Sequence, residues 1–333
     1  MSDRHGERPT AVPNMDRRSV AAGASDAHVV AVDLGGTWAR AALFDPSGAV
    51  IRRARVGTDR DGGPARIVEQ LATLIDEVAG RRSGTEVTPS VAVVGVPGVV
   101  NPDSGVVYSA ANLADWRNVP LRRMLEERMA LPCMVEHDAA LAALAEYRRG
   151  AGRGCVNFAY VTVSTGIGAG LILNNQLYRG QQGTAGEFGH MVSIPNGPLC
   201  HCGNRGCLNA IASGDGIAAA AGAERAEDVA AAAAAGDVES CRVLIWAAHH
   251  LGLALGGLIN LLALDAVALG GGVFAAGDLF WDTLSAAIAE GSWATPRAHC
   301  QIMHAELLDD AGLVGAYELA ADALVGYEAQ PHD

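Results

Sequence analysis

Two stretches of the chain share one pattern: His28–Thr37, HVVAVDLGGT, and Val161–Leu173, VTVSTGIGAGLIL. In each, a run of apolar and β-branched residues ends in a turn of glycines and hydroxyl side chains, and a second apolar run follows. Apolar runs bounded by glycine turns are typical of buried β-strands. The repetition indicates a weak internal duplication, which predicts two related α/β halves.

Helices and further strands alternate around these stretches. Apolar residues at helical spacing predict an amphipathic helix that includes Ile67, Leu71, Leu74, Ile75 and Val78. Further helices are predicted near 121–129, over 138–149 and over the alanine-rich run 229–235, and further strands over 90–98, near 133–136, over 176–179 and over 266–269. The very apolar residues 251–264 are interrupted by Asn260 and several glycines, which favours a buried helix leading into a strand over a membrane span.

Composition narrows the class of function. The chain has 333 residues, 50% of them hydrophobic, and a formal net charge of −13. An acidic balance argues against nucleic-acid binding, which needs a basic surface. Residues 1–27 lack the apolar core of a signal peptide and are predicted to be a disordered tail. Seven cysteines, three of them in one cluster, favour a metal site in a reducing cytoplasm over a disulfide framework.

The two glycine turns are candidate phosphate loops. In Asp33–Thr37, the glycines let backbone N–H groups approach a phosphate closely, the threonine hydroxyl adds a donor, and Asp33 can hold a hydrated Mg²⁺. The loop Ser164–Gly170 has the same chemistry, and two such loops together predict a polyphosphate site. Neither is a Walker A loop, and neither leads into a helix as a dinucleotide fingerprint does. The alternative for each is a simple hairpin turn.

Two other features have both a structural and a functional interpretation. The triplet Gly270–Gly272 offers a surface without side chains for an adenine or ribose, or it permits close packing at the start of a helix. Asp138 opens a predicted helix, where an aspartate commonly serves as the N-cap. It is also a candidate general base for a sugar hydroxyl, and a capping carboxylate can perform both roles.

Three cysteines and a histidine form a candidate zinc site. Cys200, Cys202 and Cys207 have the spacing C-x-C-x4-C, and His190 lies ten residues before the first of them. Three thiolates and one imidazole suit tetrahedral Zn²⁺. His201 is a competing ligand, and the alternative is a loop with three unrelated thiols.

Taken together, these motifs resemble the ROK family of sugar kinases and repressors, in the same order and over roughly residues 28–325. The resemblance implies the α/β actin-like, hexokinase-type (ribonuclease H-like) fold, with two lobes around a cleft. A small lobe then comprises residues 28–137 and 312–328, and a large lobe with the zinc loop comprises residues 138–311. The short N-terminal segment implies the kinase branch, because ROK repressors carry a winged helix there. A homodimer and the cofactors ATP, Mg²⁺ and structural Zn²⁺ are also implied.

The resemblance assigns a role to each motif. Asp138 matches the catalytic base that takes the proton of the sugar 6-hydroxyl. The nucleotide site is expected to include Asp33, Gly35, Gly36, Thr37, Thr165, Gly166, Gly168, Gly271 and Gly272. Sugar contacts are expected from Asn112, His137, Glu187, His190 and Asn209. The zinc ligands are expected to be His190, Cys200, Cys202 and Cys207, whereas His201 matches no ligand position and is expected to be exposed.

The chain departs from the family pattern at Ala140, where ROK glucokinases usually have asparagine, and at two expected sugar contacts. His137 stands where ROK glucokinases usually have asparagine before the base, and Asn209 stands where the family usually has a glutamate that binds the sugar. Both changes affect expected sugar contacts, so a non-standard sugar is predicted, and an amino sugar such as kanosamine (3-amino-3-deoxyglucose) is one candidate. A neutral imidazole at His137 can accept a hydrogen bond from an amine. The alternatives are an ordinary glucokinase and a non-catalytic sugar sensor with this fold.

Overall fold

The structure is a computed structural model that describes residues 27–81, 84–110 and 112–328. Except for Ala27, the predicted tail over residues 1–27 lies outside the described residues. The chain divides into two compact units, Met1–Glu136 with Leu319–Asp333, and His137–Glu318. They are called the first and the second unit below. The lobe boundaries expected from the sequence stay a proposal.

The first unit is built on a mixed β-sheet. In chain order its elements are β1 (Val29–Leu34), β2 (Trp38–Phe44), β3 (Val50–Gly57), α1 (Gly63–Val78), β4 (Val91–Val96), β5 (Val99–Asn101), β6 (Val106–Ser109), β7 (Arg117–Val119), α2 (Leu121–Met129) and β8 (Cys133–His137), which ends on the first residue of the second unit. The main sheet has the order β3-β2-β1-β4-β8 among the described residues. Strand β1 pairs antiparallel with β2 and parallel with β4, so the first predicted glycine turn connects an antiparallel pair.

The core of the first unit confirms the predicted amphipathic helix. All five apolar residues that predicted α1 are buried and pack with the sheet strands in one hydrophobic cluster. The small sheet β5-β6-β7 was not predicted. Its strands have three or four residues each, too few for alternation of apolar and polar residues to be read from the sequence.

The second unit repeats the sheet pattern. In chain order its elements are α3 (Asp138–Arg149), β9 (Phe158–Val163), β10 (Ile167–Leu173), β11 (Gln176–Tyr178), a 3₁₀ turn (Phe188–His190), α4 (Asn209–Ala212), α5 (Gly214–Ala221), α6 (Ala226–Ala234), α7 (Val238–Leu262), β12 (Ala266–Gly270), a 3₁₀ turn (Gly272–Ala276), α8 (Asp278–Gly291), α9 (Ala294–His299), β13 (Gln301–His304), a 3₁₀ turn (Leu308–Asp310) and α10 (Ala311–Glu328), whose C-terminal part belongs to the first unit. The described sheet has the order β11-β10-β9-β12-β13. Strand β9 pairs antiparallel with β10 and parallel with β12, as β1 does with β2 and β4. The predicted duplication is therefore present in the strand pairing.

Helix α7 is the long apolar helix of the second unit. Among the described residues, it is the one helix long and apolar enough to cross a membrane by length and composition, and 56% of its most apolar window is buried inside the protein. Leu251, Leu255 and Ile259 are fully buried, in agreement with the predicted buried helix. The helix packs against α8 through glycines, because a Cβ at Gly256 would lie 2.6 Å from the backbone carbon of Gly291.

Because of this packing, Gly256 and its neighbour Gly257 should respond differently to substitution by alanine. We expect Gly256→Ala to lower the free energy of unfolding by about 1–3 kcal/mol, because the added methyl group meets backbone that cannot move aside locally. Gly257→Ala is the matched control, since no atom lies within 4 Å of its Cβ position, and the better helix propensity of alanine should stabilise α7 by about 0.5–1 kcal/mol. Urea unfolding midpoints measure the difference. Equal midpoints for the two variants would contradict the packing described.

Candidate active site and metal centre

The first glycine loop joins β1 to β2. The Gly35 N–H donates to the Trp38 carbonyl at 2.9 Å, and the Thr58 hydroxyl donates to the Gly35 carbonyl at 2.8 Å. Thr37 is exposed. A Cβ at Gly36 would lie 3.8 Å from the Cβ of Asn112, so this predicted sugar residue lies beside the loop within the first unit. Hydrogen bonds to Trp38 and Thr58 therefore fix the loop backbone at Gly35, and the Thr37 side chain faces solvent.

Asp33 is the last polar residue before this loop. It is 7% exposed, and its Oδ2 atom accepts from Arg40 Nη2 at 2.5 Å and from Arg40 Nε at 3.1 Å. A carboxylate held by two donors of one guanidinium has a defined orientation. The sequence did not predict Arg40 as its partner, although the antiparallel pairing places Arg40 directly opposite Asp33.

The second glycine loop joins β9 to β10. The Ser164 N–H donates to the Gly166 carbonyl at 2.8 Å, which closes the turn, and Thr165 is exposed. The Gly214 N–H, in the first turn of α5, donates to the Ser164 carbonyl at 2.7 Å. The N-terminus of α5 thus lies against the loop, where its partial positive charge favours an anion. Sequence reasoning missed this contact, although Ser213 before the helix is a usual N-cap signal.

Asp138 is the first residue of α3, directly after β8. His137 occupies the N-cap position without a side-chain capping bond, so the structure does not show Asp138 as the N-cap. The Asp138 side chain is 37% exposed, and its Oδ1 atom accepts from the Ala139 N–H at 2.6 Å. Its position in the first turn of a helix stabilises a negative charge. The carboxylate is therefore oriented, accessible and free of any lysine or arginine ion pair within the described residues.

His137 contacts the candidate base directly. Its Nε2 atom lies 3.3 Å from Asp138 Oδ1, and its side chain is 15% exposed. A Cβ at Gly168 would lie 3.1 Å from the Cβ of Ala139 and 3.9 Å from His137 Cε1. The glycine of β10 therefore lets the start of α3 approach the strand that follows the second loop.

Residues 186–190, which include Glu187 and His190, pack against β10. A Cβ at Gly186 would lie 2.5 Å from the Ala169 carbonyl oxygen, and one at Gly189 would lie 2.4 Å from the Ile167 carbonyl oxygen. Only glycine permits these two approaches. The 3₁₀ turn Phe188–His190, which contains Gly189, places the ring of His190 so that its Nε2 atom is 3.9 Å from Glu187 Oε2.

The other ring nitrogen of His190, Nδ1, faces the cysteine loop. Cys200 Sγ lies 3.7 Å from His190 Nδ1, and Cys202 Sγ lies 3.6 Å from Cys207 Sγ. One donor atom from each of these four residues lies within 4.8 Å of the others. Tetrahedral zinc with Zn–S bonds of about 2.3 Å places its sulfur ligands about 3.8 Å apart. The donor set and its spacing therefore fit the predicted Cys3His zinc site.

The thiols of this cluster differ in acidity. Burial, followed by hydrogen bonding to Cys202, raises the pKa of Cys207 to about 12, and burial also raises the pKa of Cys200. Burial acts in the same direction on Cys202, but hydrogen bonds from the Asn204 N–H and the neighbouring thiols lower its pKa overall. Since zinc binds thiolates, metal binding has to displace protons and becomes weaker as the pH falls.

Asn209 lies directly behind the second loop. It is 7% exposed, and its Oδ1 atom accepts from the Ile167 N–H at 2.8 Å. Its Nδ2 atom lies 3.4 Å from Nδ1 of His201, which is exposed as predicted. Burial lowers the pKa of His201, with a further contribution from His190, so the neutral form that accepts from an amide is favoured.

The three glycines at the end of β12, residues 270–272, have two different roles. A Cβ at Gly270 would lie 2.7 Å from Tyr160 Oη, and one at Gly271 would lie 2.2 Å from the Val163 carbonyl oxygen. Gly271 also has a φ of +100°, which disfavours other residues. Gly272 has no atom within 4 Å of its Cβ position. The first two glycines therefore permit close packing, and the third borders open space.

Comparison with known proteins relates this arrangement to a family. The profile of the ROK family matches residues 29–323. The chain is 36% identical to the glucokinase of Streptomyces coelicolor over 323 residues, which cover 88% of this chain and 97% of that protein. It is 34% identical over 296 residues to the N-acetylmannosamine kinase of Yersinia pseudotuberculosis, with 86% and 96% covered. A solved ROK family glucokinase from Streptomyces griseus, in complex with glucose and AMPPNP, has a TM-score of 0.74 at 31% identity and 88% and 98% coverage. The predicted actin-like, hexokinase-type fold is confirmed.

Proposed function

This chain belongs to the ROK family, and we propose that it transfers the γ-phosphoryl group of ATP to the 6-hydroxyl of a glucose-type hexose. It is an ATP-dependent sugar kinase, with ATP and Mg²⁺ as the nucleotide and metal that this activity requires. The observation that carries the proposed chemistry is the oriented, partly exposed carboxylate of Asp138 at the start of α3. Phosphoryl transfer depends mainly on positioning and on neutralising charge, so one aligned carboxylate is a sufficient base.

In the proposed mechanism, Asp138 orients the sugar hydroxyl and accepts its proton as the oxygen attacks the γ-phosphorus, and the bond from that phosphorus to the β,γ-bridging oxygen breaks to release ADP. The Ala139 N–H, which donates to Oδ1, holds the carboxylate in one orientation for this step. The nucleotide is proposed to contact the first loop through Gly35, Gly36 and Thr37. The proposed contacts of the second unit are Thr165, Gly166, Gly168, Gly271 and Gly272.

Asp33 is the residue proposed to hold Mg²⁺. A carboxylate beside a phosphate loop suits this ion, which prefers oxygen ligands and retains several waters. The ion pair with Arg40 orients the carboxylate for this contact. When bound, Mg²⁺ would neutralise charge on the phosphates.

Zinc is proposed to be structural. The Cys3His donor set would supply all four ligands of a tetrahedral zinc ion, which is the pattern of a closed, non-catalytic site. His190 would contribute Nδ1 to the ion, while Nε2 remains on the side of Glu187. Both side chains are proposed to bind the sugar, as is Asn112 beside the first loop.

The sugar is proposed to be an amino sugar such as kanosamine. This is supported by His137, which contacts the base, stands at an expected sugar contact, and when neutral can accept a hydrogen bond from an amine through a ring nitrogen. Ordinary glucokinase activity is the alternative, and the similarity to the Streptomyces coelicolor enzyme favours it.

A sugar panel tests this specificity. We expect a higher kcat/KM for kanosamine than for glucose, glucosamine or N-acetylmannosamine, measured by coupled ADP release. His137→Leu, which removes the imidazole acceptor, should shift the kanosamine-to-glucose ratio toward glucose by about tenfold, which corresponds to the loss of one hydrogen bond of about 1.4 kcal/mol. A clear preference of the wild type for glucose would overturn the amino-sugar proposal and leave the kinase.

The same assay tests the phosphorylation proposal itself. NMR of the product should place the phosphate on the 6-oxygen. An absence of ADP release with every sugar would favour the remaining alternative, a non-catalytic sugar sensor. A cytoplasmic location, which the cysteine content favours, and a homodimer, which the family resemblance implies, belong to the same proposal.

A further inference from the structure

We propose that Asn209 is a positioning residue that joins the cysteine loop to the second glycine loop, and that it supports nucleotide binding and does not select the sugar. The inference rests on the proposed function, in which the second glycine loop binds the phosphates of ATP. It changes the role expected from the sequence, where Asn209 was predicted to contact the sugar.

Both ends of the Asn209 amide face groups of the protein. The carbonyl oxygen accepts from the Ile167 N–H, the first residue of β10 after the loop, and the NH₂ group is within reach of His201 Nδ1 in the cysteine loop. The residue is nearly buried, so these protein groups replace water as its partners. Little of the amide remains for a ligand.

The Asn209 side chain presents one acceptor and one donor to its two partners. Its oxygen faces the Ile167 N–H, and its NH₂ group faces His201 Nδ1, which accepts when the ring proton is on Nε2. Asparagine supplies both, whereas a glutamate, the residue usual in the family, has no donor when ionised. A Cβ at Gly166 would lie 3.3 Å from Asn209 Oδ1, so the glycine of the loop also accommodates this contact. Asparagine in place of the usual glutamate at position 209 therefore matches the groups that surround it.

The chain after the cysteine loop runs along the second glycine loop. Residues 209–215 contact the second loop on both sides, because the Gly214 and Asp215 N–H groups donate to the Ser164 and Thr165 carbonyls while Asn209 holds Ile167. This segment begins two residues after Cys207. A cysteine loop that is held in one conformation therefore restrains the glycine loop through Asn209.

Two variants test the inference. Asn209→Leu removes both hydrogen bonds with a side chain of similar length, and His201→Ala removes only the partner of the NH₂ group at an exposed position. Isothermal titration calorimetry measures the Kd of Mg²⁺–AMPPNP and, separately, of glucose and kanosamine. We expect Asn209→Leu to weaken AMPPNP binding about tenfold, as for a lost hydrogen bond, and His201→Ala to weaken it about twofold to threefold. Sugar binding should change less than twofold in both.

Zinc content and thermal unfolding distinguish this role from general damage to the fold. If Asn209→Leu retains zinc but weakens sugar binding and leaves AMPPNP binding unchanged, Asn209 is a sugar contact and the inference is wrong. Unchanged affinity for both ligands overturns it as well. If Asn209→Leu does not fold, an unchanged AMPPNP Kd in His201→Ala overturns it. A wild-type protein that binds no nucleotide overturns the proposed function first, so the two failures are distinguishable.

Discussion

Asp138→Asn is expected to lower kcat by about 10²–10⁴-fold while leaving the Kd of the sugar largely unchanged. Asparagine has the shape of aspartate, and its amide oxygen can still accept from the Ala139 N–H, so the start of α3 should keep its conformation. The amide cannot accept the proton of the sugar hydroxyl at neutral pH. Single-turnover phosphorylation and calorimetry of sugar binding measure the two quantities separately.

Asp278→Asn is the matched control for this variant. Asp278 is also the first residue of a helix of the second unit, α8, so its substitution removes a comparable interaction with a helix N-terminus. We expect wild-type kcat for Asp278→Asn. A kcat for Asp138→Asn within threefold of the wild type would show that the carboxylate is not the base.

The secondary structure around the proposed base could be predicted from the sequence. The predicted helix 138–149 agrees with α3, and the strands on either side of both glycine turns are present. These elements have long apolar runs or clear periodicity, which local sequence determines. The strands of the small sheet β5-β6-β7 were missed, because they are short and are stabilised by pairing that only the folded chain shows.

The candidate site also has a part that could be predicted from the sequence and a part that could not. The cysteine cluster could be predicted, because its ligands are close together in the sequence and their spacing follows the geometry of the ion. The partners of Asn209 could not, since Ile167 lies 42 residues earlier in the chain. The pairing of Asp33 with Arg40 required the strand register. Contacts across a sheet or between loops depend on the tertiary structure, so a single sequence shows the residue types but not their partners.

Cys207→Ser is expected to abolish zinc binding and to weaken sugar binding strongly. The proposed metal would hold His190 through Nδ1, whereas the rest of the Glu187–His190 segment is held by buried Phe188 and by the glycine contacts with β10. Zinc sites of this type contribute about 10–16 kcal/mol of apparent binding free energy, so its loss should unfold the loop locally. Atomic absorption should find one zinc per wild-type chain, and limited proteolysis should cut the variant within 190–207.

Cys300→Ser is the matched control, because Cys300 lies outside the cluster and burial raises the pKa of its thiol to about 11. It should retain zinc, protease resistance and sugar affinity. Acid should reproduce the effect of Cys207→Ser in the wild type, since protons compete with zinc for the thiolates and the imidazole: occupancy is complete at neutral pH and is lost as the pH falls. A wild-type protein without zinc after purification in zinc-containing medium, or a Cys207→Ser variant with normal sugar affinity, would show that the cysteine loop needs no metal to hold His190.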